Sequence, residues 1–406
     1  MENEQNIKNK AHAALTKKAA LGADIDLTVY ADNAKEEKYV SNPGSLSSEQ
    51  QKQLQSIGIE VKGDERAGTY MQLDHSIIHC NTSTKGVEIL NIDDALNKYD
   101  GLADYWWQAV EPDVDKYTAR AALHQEHGYF IRAFAGSKIE YPVQACLYIG
   151  QEDIVQDVHN VIIVEEGAEL HVITGCATDS HVKKGMHIGI SEFYVKKGAK
   201  LTFTMLHRWG EDVAVRPRTS VIVEENGLYM SNYICMHPVK NLQMYPTTKL
   251  VGPGATSRIN SIIVAPPGSN MDVGGRAVLA SPGTKAEIIA RTISTGGVVI
   301  NRGHLLGQAP ETKAHLECHG LLLSDKGVIH AVPELEARTC NAELSHEAAV
   351  GKIAPEEIEY LMARGLNEEE AIAAIVRGFL NINIEGLPDV LKREIDSVIQ
   401  KFSLDK

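Results

Sequence analysis

The stretch VIIVEEGAELHVI (161–173) reads as a β-strand, a two-residue polar link, a glycine, a small residue and a second strand. Valine and isoleucine fit a pleated surface, and glycine supplies the backbone freedom that a tight corner needs. The motif returns in FYVKKGAKLTF (193–203), VIVEENGLYM (221–230), LVGPGATS (250–257) and SPGTKAEII (281–289). Its glycines stand at 167, 198, 227, 254 and 283, spaced by 31, 29, 27 and 29 residues. A period of this length signals a solenoid or a propeller, and a propeller blade needs a longer unit of about 40 residues or more. The predicted fold is therefore mainly β: a β-helix (parallel solenoid) core over residues 116–347. An N-terminal mixed α/β region (1–115) precedes it and a C-terminal helical domain (348–406) follows.

Outside the repeats the texture is helical. Ser47-Ser48-Glu49 opens a short helix carrying Leu54 and Ile57, and Ile92-Asp93-Asp94 opens another. Trp106 and Trp107 read as packing residues. Pro355 suits the first turn of a helix whose stripe is Ile358, Leu361 and Met362, with Gly365 as its stop. Asn367 and Glu370 form a capping signature ahead of Ile372, Ile375, Val376 and Phe379. A last helix is expected after Pro388, with Leu391, Ile395, Val398, Ile399 and Phe402 in register.

The composition, 43% hydrophobic and 23% charged, is that of a globular chain, and the net charge of −14 disfavours nucleic acid and anionic membranes as partners. No apolar run reaches the ~18 residues of a membrane span, and the polar start MENEQNIKNK lacks a secretory apolar region. Six cysteines at 80, 146, 176, 235, 318 and 340 form neither a disulfide framework nor a zinc knuckle. A cytoplasmic protein with reduced thiols is expected.

The densest set of metal-capable side chains is His315, Glu317, Cys318 and His319, followed by His330, Cys340, His346 and Glu347. Thiolate and imidazole favour zinc, copper or iron. Neighbours on a strand face opposite ways, so Cys318 and His319 do not readily share one metal. Cys318 and His346 stay evenly balanced between structural and functional roles, and Cys80, Cys146 and Cys235 read as structural. His346-Glu347 falls where the repeats end, at an open strand edge able to pair with another chain. Phosphate-binding loops, a nucleophile elbow and a zinc-protease helix are all missing from the sequence.

The segment Leu321 to Lys326, His330 to Pro333, Ser345-His346-Glu347-Ala348 and Gly351-Lys352-Ile353 resembles the SufB/SufD family of iron–sulfur cluster assembly proteins. Tyr360-Leu361, Arg364-Gly365-Leu366 and Glu369-Glu370-Ala371 continue the likeness, and Gly175-Cys176, Trp209, Gly283-Thr284-Lys285 and Arg302-Gly303 extend it upstream. The resemblance implies a right-handed parallel β-helix between helical domains and a non-catalytic scaffold for assembling and passing on clusters. It implies a SufC-like ATPase docked on the C-terminal helices, and pairing through the last coils with a second copy or a SufB/SufD paralogue. A sulfur donor and apo iron–sulfur proteins are the further implied partners. The implied cargo is a transient iron–sulfur cluster, of the 4Fe-4S type, with flavin a further candidate. The implied ligands are Cys318, His346 and Glu347, with Cys340 an additional thiolate; Cys176 and His207 are implied in sulfur transfer. The chain departs from the family pattern at Ser345, Tyr148, Gly150 and His207, which bears on the sulfur route. The competing reading is a β-helical zinc or iron metalloenzyme acting on a small substrate through the His315–His346 cluster.

Overall fold

A computed structural model describes residues 2–61, 65–125 and 127–380. Two long sheets, of ten and eleven strands, face each other and form a β-solenoid of about eight turns. The ten-stranded sheet begins with an antiparallel pair, Gly68–Leu73 with Ser76–Thr82, and then runs parallel from Val143–Ile149 to Ala342–Gly351. The 68–73 strand pairs in parallel with 143–149, so the sheet takes its first parallel strand from the 1–115 region.

The corners explain the repeat. Gly167, Gly198, Gly254 and Gly283 all adopt left-handed φ between 64° and 72°. Gly198 N donates to Glu225 O at 2.8 Å in the next coil, as Gly167 N does to Lys197 O at 2.9 Å. The expectation at Gly227 is corrected by one residue: Asn226 takes the left-handed φ of 54° and donates to Pro253 O at 3.0 Å. Asparagine tolerates that region because its short polar side chain bonds locally. Gly227 instead holds the position of Ala168, Ala199 and Ala255, where the side chain points inward and is fully buried. A Cβ there would lie 2.9 Å from Val223 Cγ1, so the smallest residue is used. The next corner is carried by Glu311 at φ 59°.

Inward-facing residues of both sheets make one continuous core that includes Phe193, Phe203, Ile263, Leu279 and Leu316. Burying each such side chain stabilises the fold by roughly 1.5–3 kcal/mol. Helices cover parts of the outer faces. Six are described: α1 (Glu2–Ala14), α2 (Ser48–Ser56), α3 (Ile92–Lys98), α4 (Lys116–His124), α5 (Pro355–Met362) and α6 (Glu368–Leu380). The α2 helix starts at the expected Ser47 with a capping box to Gln50 and buries Leu54. Trp107 is buried and Trp106 stacks on His159 at 3.7 Å, both in packing roles. Pro355 sits in the first turn of α5, and Gly365 follows its end at φ 102°. Asn367 and Glu370 cap each other reciprocally at 2.8 Å ahead of α6. The α6 residues Ile372, Val376 and Leu380 pack with Ile293 and Leu321 on the outer face of the ten-stranded sheet. The helix expected after Pro388 lies outside the described residues.

Candidate functional site

The pleat decides which side chains meet. Along the strand Thr312–Leu322, Thr312, Ala314, Leu316 and Cys318 are buried in the core, whereas Lys313, His315, Glu317 and His319 face outward. The last strand, Ala342–Gly351, pairs with it so that His346 lies beside Leu316, Glu347 beside Glu317 and Ala348 beside Cys318. In-register neighbours share a face. His346 therefore lies on the inner face with Cys318, two register positions removed, and Glu347 lies on the outer face.

Cys318 is 1% exposed, and burial pushes its thiol up to about 11, with Glu317 adding to the effect. It is capped by one further coil, made of Val328–Ala337 and Ala342–Gly351. Each of these strands ends its sheet, so both present an unpaired edge among the described residues. Inward-facing Leu335, paired with the fully buried Leu305, is 41% exposed because no coil follows it.

On the outer face His319 sits between two carboxylates, its Nδ1 3.4 Å from Glu317 and its Nε2 3.5 Å from Glu347. Arg291 Nη2 pairs with Glu317 at 2.5 Å, and His315 Nδ1 lies 2.8 Å from Ser345 Oγ. His330 pairs in register with Ile300, also outside the core. Among the described residues no group of three or more His, Cys, Asp or Glu side chains is arranged to hold a metal ion within one chain.

Cys340 is exposed at the corner before Ala342, with Sγ 3.4 Å from Asn341 Oδ1. Ala342 pairs with Thr312, six positions before Cys318, which puts Cys340 about 20 Å or more away along the strand direction. The fold does not bring it to Cys318 within one chain.

Cys176 and His207 are in-register neighbours inside the closed part of the solenoid, 2% and 3% exposed. Cys235 is the next residue in that row, and His207 Nδ1 lies 2.9 Å from Tyr233 OH. Burial raises the Cys176 thiol well above its ordinary range and holds His207 well below its own, with His187 nearby adding to the latter. A cavity of about 40 Å³ lined by Tyr233, Ser261 and Ala290 continues from there, and Ala290 pairs with Cys318. Cys176 itself is five strands from Cys318, about 24 Å at ~4.8 Å per strand. Tyr148 faces outward, with its hydroxyl donating to Gln53 and Asp179.

Sequence reasoning singled out two strands that the fold pairs and put Cys318 and His319 on opposite faces, but it kept His346 and Glu347 together and did not note Arg291. Strand alternation across 312–322 carries the first signal. Arg291 had none, because only its register beside His319 reveals it.

Residues 147–379 match the family model described as the SUF system FeS cluster assembly SufBD core domain. An iron-sulfur cluster assembly SufBD family protein of Methanothermobacter thermautotrophicus is 47% identical over 391 residues, covering 95% of each chain. One from Archaeoglobus fulgidus is 52% identical over 352 residues, 87% of this chain and 95% of its own. The iron-sulfur cluster assembly protein SufB of Bacillus subtilis is 30% identical over 359 residues, 86% of this chain and 77% of its own. With the solenoid, its helical ends and this run of matches in agreement, the chain belongs to the SufBD family of iron–sulfur cluster assembly proteins.

Proposed function

We propose that this protein is a non-catalytic cytoplasmic scaffold whose cargo, an iron–sulfur cluster of the 4Fe-4S type, is held where the last coils of two subunits meet. The observation that carries the reading is the placement of Cys318 and His346 on one inner face, at the last coil of the solenoid, whose two strands both end their sheets among the described residues. Thiolate is the usual ligand of such clusters, and an imidazole in place of a second thiolate makes the cargo easier to release. Edge-to-edge pairing continues the pleat, so inner donors of one copy meet inner donors of the other. Cys318 and His346 of both subunits then form the primary donor set, and Glu347 lines the outer mouth. Cys340 stands apart from that set. Two copies of this chain suffice, and a SufB/SufD paralogue would present the same edges.

The C-terminal helices are the proposed seat of a SufC-like ATPase. The surface of α5 and the turn after it mixes charge at Glu356, Glu359 and Arg364 with exposed Tyr360 and Met362, which suits a contact that forms and dissolves. Sulfur delivery past Cys176 and His207 is supported by their shared row and by the cavity that continues to Ala290. Sulfur donors and apo iron–sulfur proteins complete the partners, and flavin is a further cofactor candidate.

Anaerobic reconstitution with ferrous iron and sulfide, read by absorbance and Mössbauer spectroscopy, tests the cluster site. Cys318→Ser should lose the chromophore, His346→Ala should weaken or alter it, and Cys80→Ser should keep it. Full occupancy in Cys318→Ser would sink the proposal.

A further inference from the structure

A chain of side chains crosses the outer face directly behind Cys318. Phe379 of α6 lies under the Arg291 guanidinium, 5.9 Å from ring centroid to Cζ. Arg291 pairs with Glu317, Glu317 reaches His319, and His319 reaches Glu347 on the last strand. Glu317 and His319 are the two residues flanking Cys318, and Glu347 follows His346. The helix end of this chain is anchored by the packing of Ile372, Val376 and Leu380 against Ile293 and Leu321.

One donor along it, Arg291 Nη1, is shielded from solvent without a hydrogen-bond partner among the described residues. Buried polar groups are normally satisfied, so it marks a place where a second arrangement would gain a bond. Because adjacent residues point to opposite faces, drawing Glu317 and His319 outward tilts the peptide planes on both sides of Cys318 and swings its thiol on the inner face.

We infer that Arg291 is a positioning residue that couples the placement of α6 to the presentation of the Cys318 thiol. The inference rests on the proposed docking of an ATPase on the C-terminal helices and names the route by which that contact reaches the site. Movement of α6 carries the stacked guanidinium with it, the guanidinium pulls Glu317, and the last two strands of the sheet respond together through His319 and Glu347. The planar guanidinium suits this role because it stacks on a ring and pairs with a carboxylate at once, which a lysine cannot do.

The test uses the full chain in a Cys340→Ser background, removing the exposed thiol, with Cys318 alkylation by iodoacetamide followed by peptide mass spectrometry. In the isolated chain, Arg291→Ala and Phe379→Ala should change the Cys318 rate by about fivefold or more. Arg258→Ala, which breaks the Arg258–Glu287 pair on the same face, should leave it unchanged. With a SufC-like ATPase bound, addition of ATP should change the wild-type rate by about tenfold, and Arg291→Ala should reduce that response below about twofold without loss of co-purification. Arg291→Lys, which keeps the charge, should fall with Arg291→Ala and guards against a folding defect. Unchanged rates in the isolated Arg291→Ala and Arg291→Lys chains overturn the inference. A wild-type chain that binds no ATPase overturns the docking reading instead, while the isolated-chain rates still decide the role of Arg291.

Discussion

The closed middle of the solenoid and its last coil are made of the same kind of strand, and both turn a cysteine and a histidine inward. In the middle, Cys176 and His207 are sealed by coils on either side, and the histidine is held neutral. At the end, Cys318 is covered by one coil, and His346 stands exposed on it. The pleat points side chains inward equally in both places. Exposure comes from running out of coils.

Truncation should separate the two regions most. Leu279, fully buried between coils, should cost about 2–5 kcal/mol on replacement by alanine, and Leu335, paired on one side only, less than about 1 kcal/mol in chemical denaturation. Leu335→Asp should instead shift the protein toward monomer in light scattering. Val332→Asp, beside Arg302 on the outer face, should leave association intact. Equal stability losses at Leu279 and Leu335 would erase the distinction.

Acid should attack the middle first. Burial lowers His187 to about 3 and His207 well below its ordinary 6.5. The folded state therefore binds fewer protons than the unfolded one in this window. The contribution of His187 to stability is complete above about pH 6.5 and is lost as pH falls from there toward 3, by about 1.4 kcal/mol per unit, and His207 acts in the same direction. Denaturation at pH 7 and pH 5 should differ by about 2 kcal/mol through His187 alone, and His187→Gln should remove that share. A pH-independent midpoint would count against the neutral interior.

The smallest effects belong to the corners. Gly198→Ala forces a Cβ into left-handed backbone and should cost about 1–2 kcal/mol, whereas Asn226→Gly and Glu311→Gly should raise the melting temperature slightly, by up to about 1 kcal/mol in stability. A gain at Glu311 larger than the loss at Gly198 would mean that the corner near the open end is the more strained.

Much of this was legible in advance. The α2 cap at Ser47, the Asn367–Glu370 box and the apolar stripe of α6 follow from local chemistry, and each stands as read. The repeat was legible too, although Gly227 misled by one position because asparagine can also occupy the left-handed corner. In the site, the pairing of the 312–322 and 342–351 strands was implicit in the repeat length. The separation of Cys340 from Cys318 within one chain was not, since distance along a strand depends on where the corner falls.

By itself the sequence determined the solenoid, because a corner needing φ > 0 and an inward-facing small residue recur at nearly constant spacing, and both demands are local. It also placed a thiol and an imidazole at the end of the repeats. The tertiary structure decided the rest. Only the inter-strand register sets His346 beside Leu316 and Glu347 beside Glu317, separating the inner side chains from the outer ones. Only the packing of α6 brings Phe379 onto Arg291, joining residues far apart in the chain into one row behind Cys318. The physical reason is that a strand's own pattern fixes its two faces, while the neighbours on each face come from hydrogen-bonding and packing partners that lie a whole coil, or more, away.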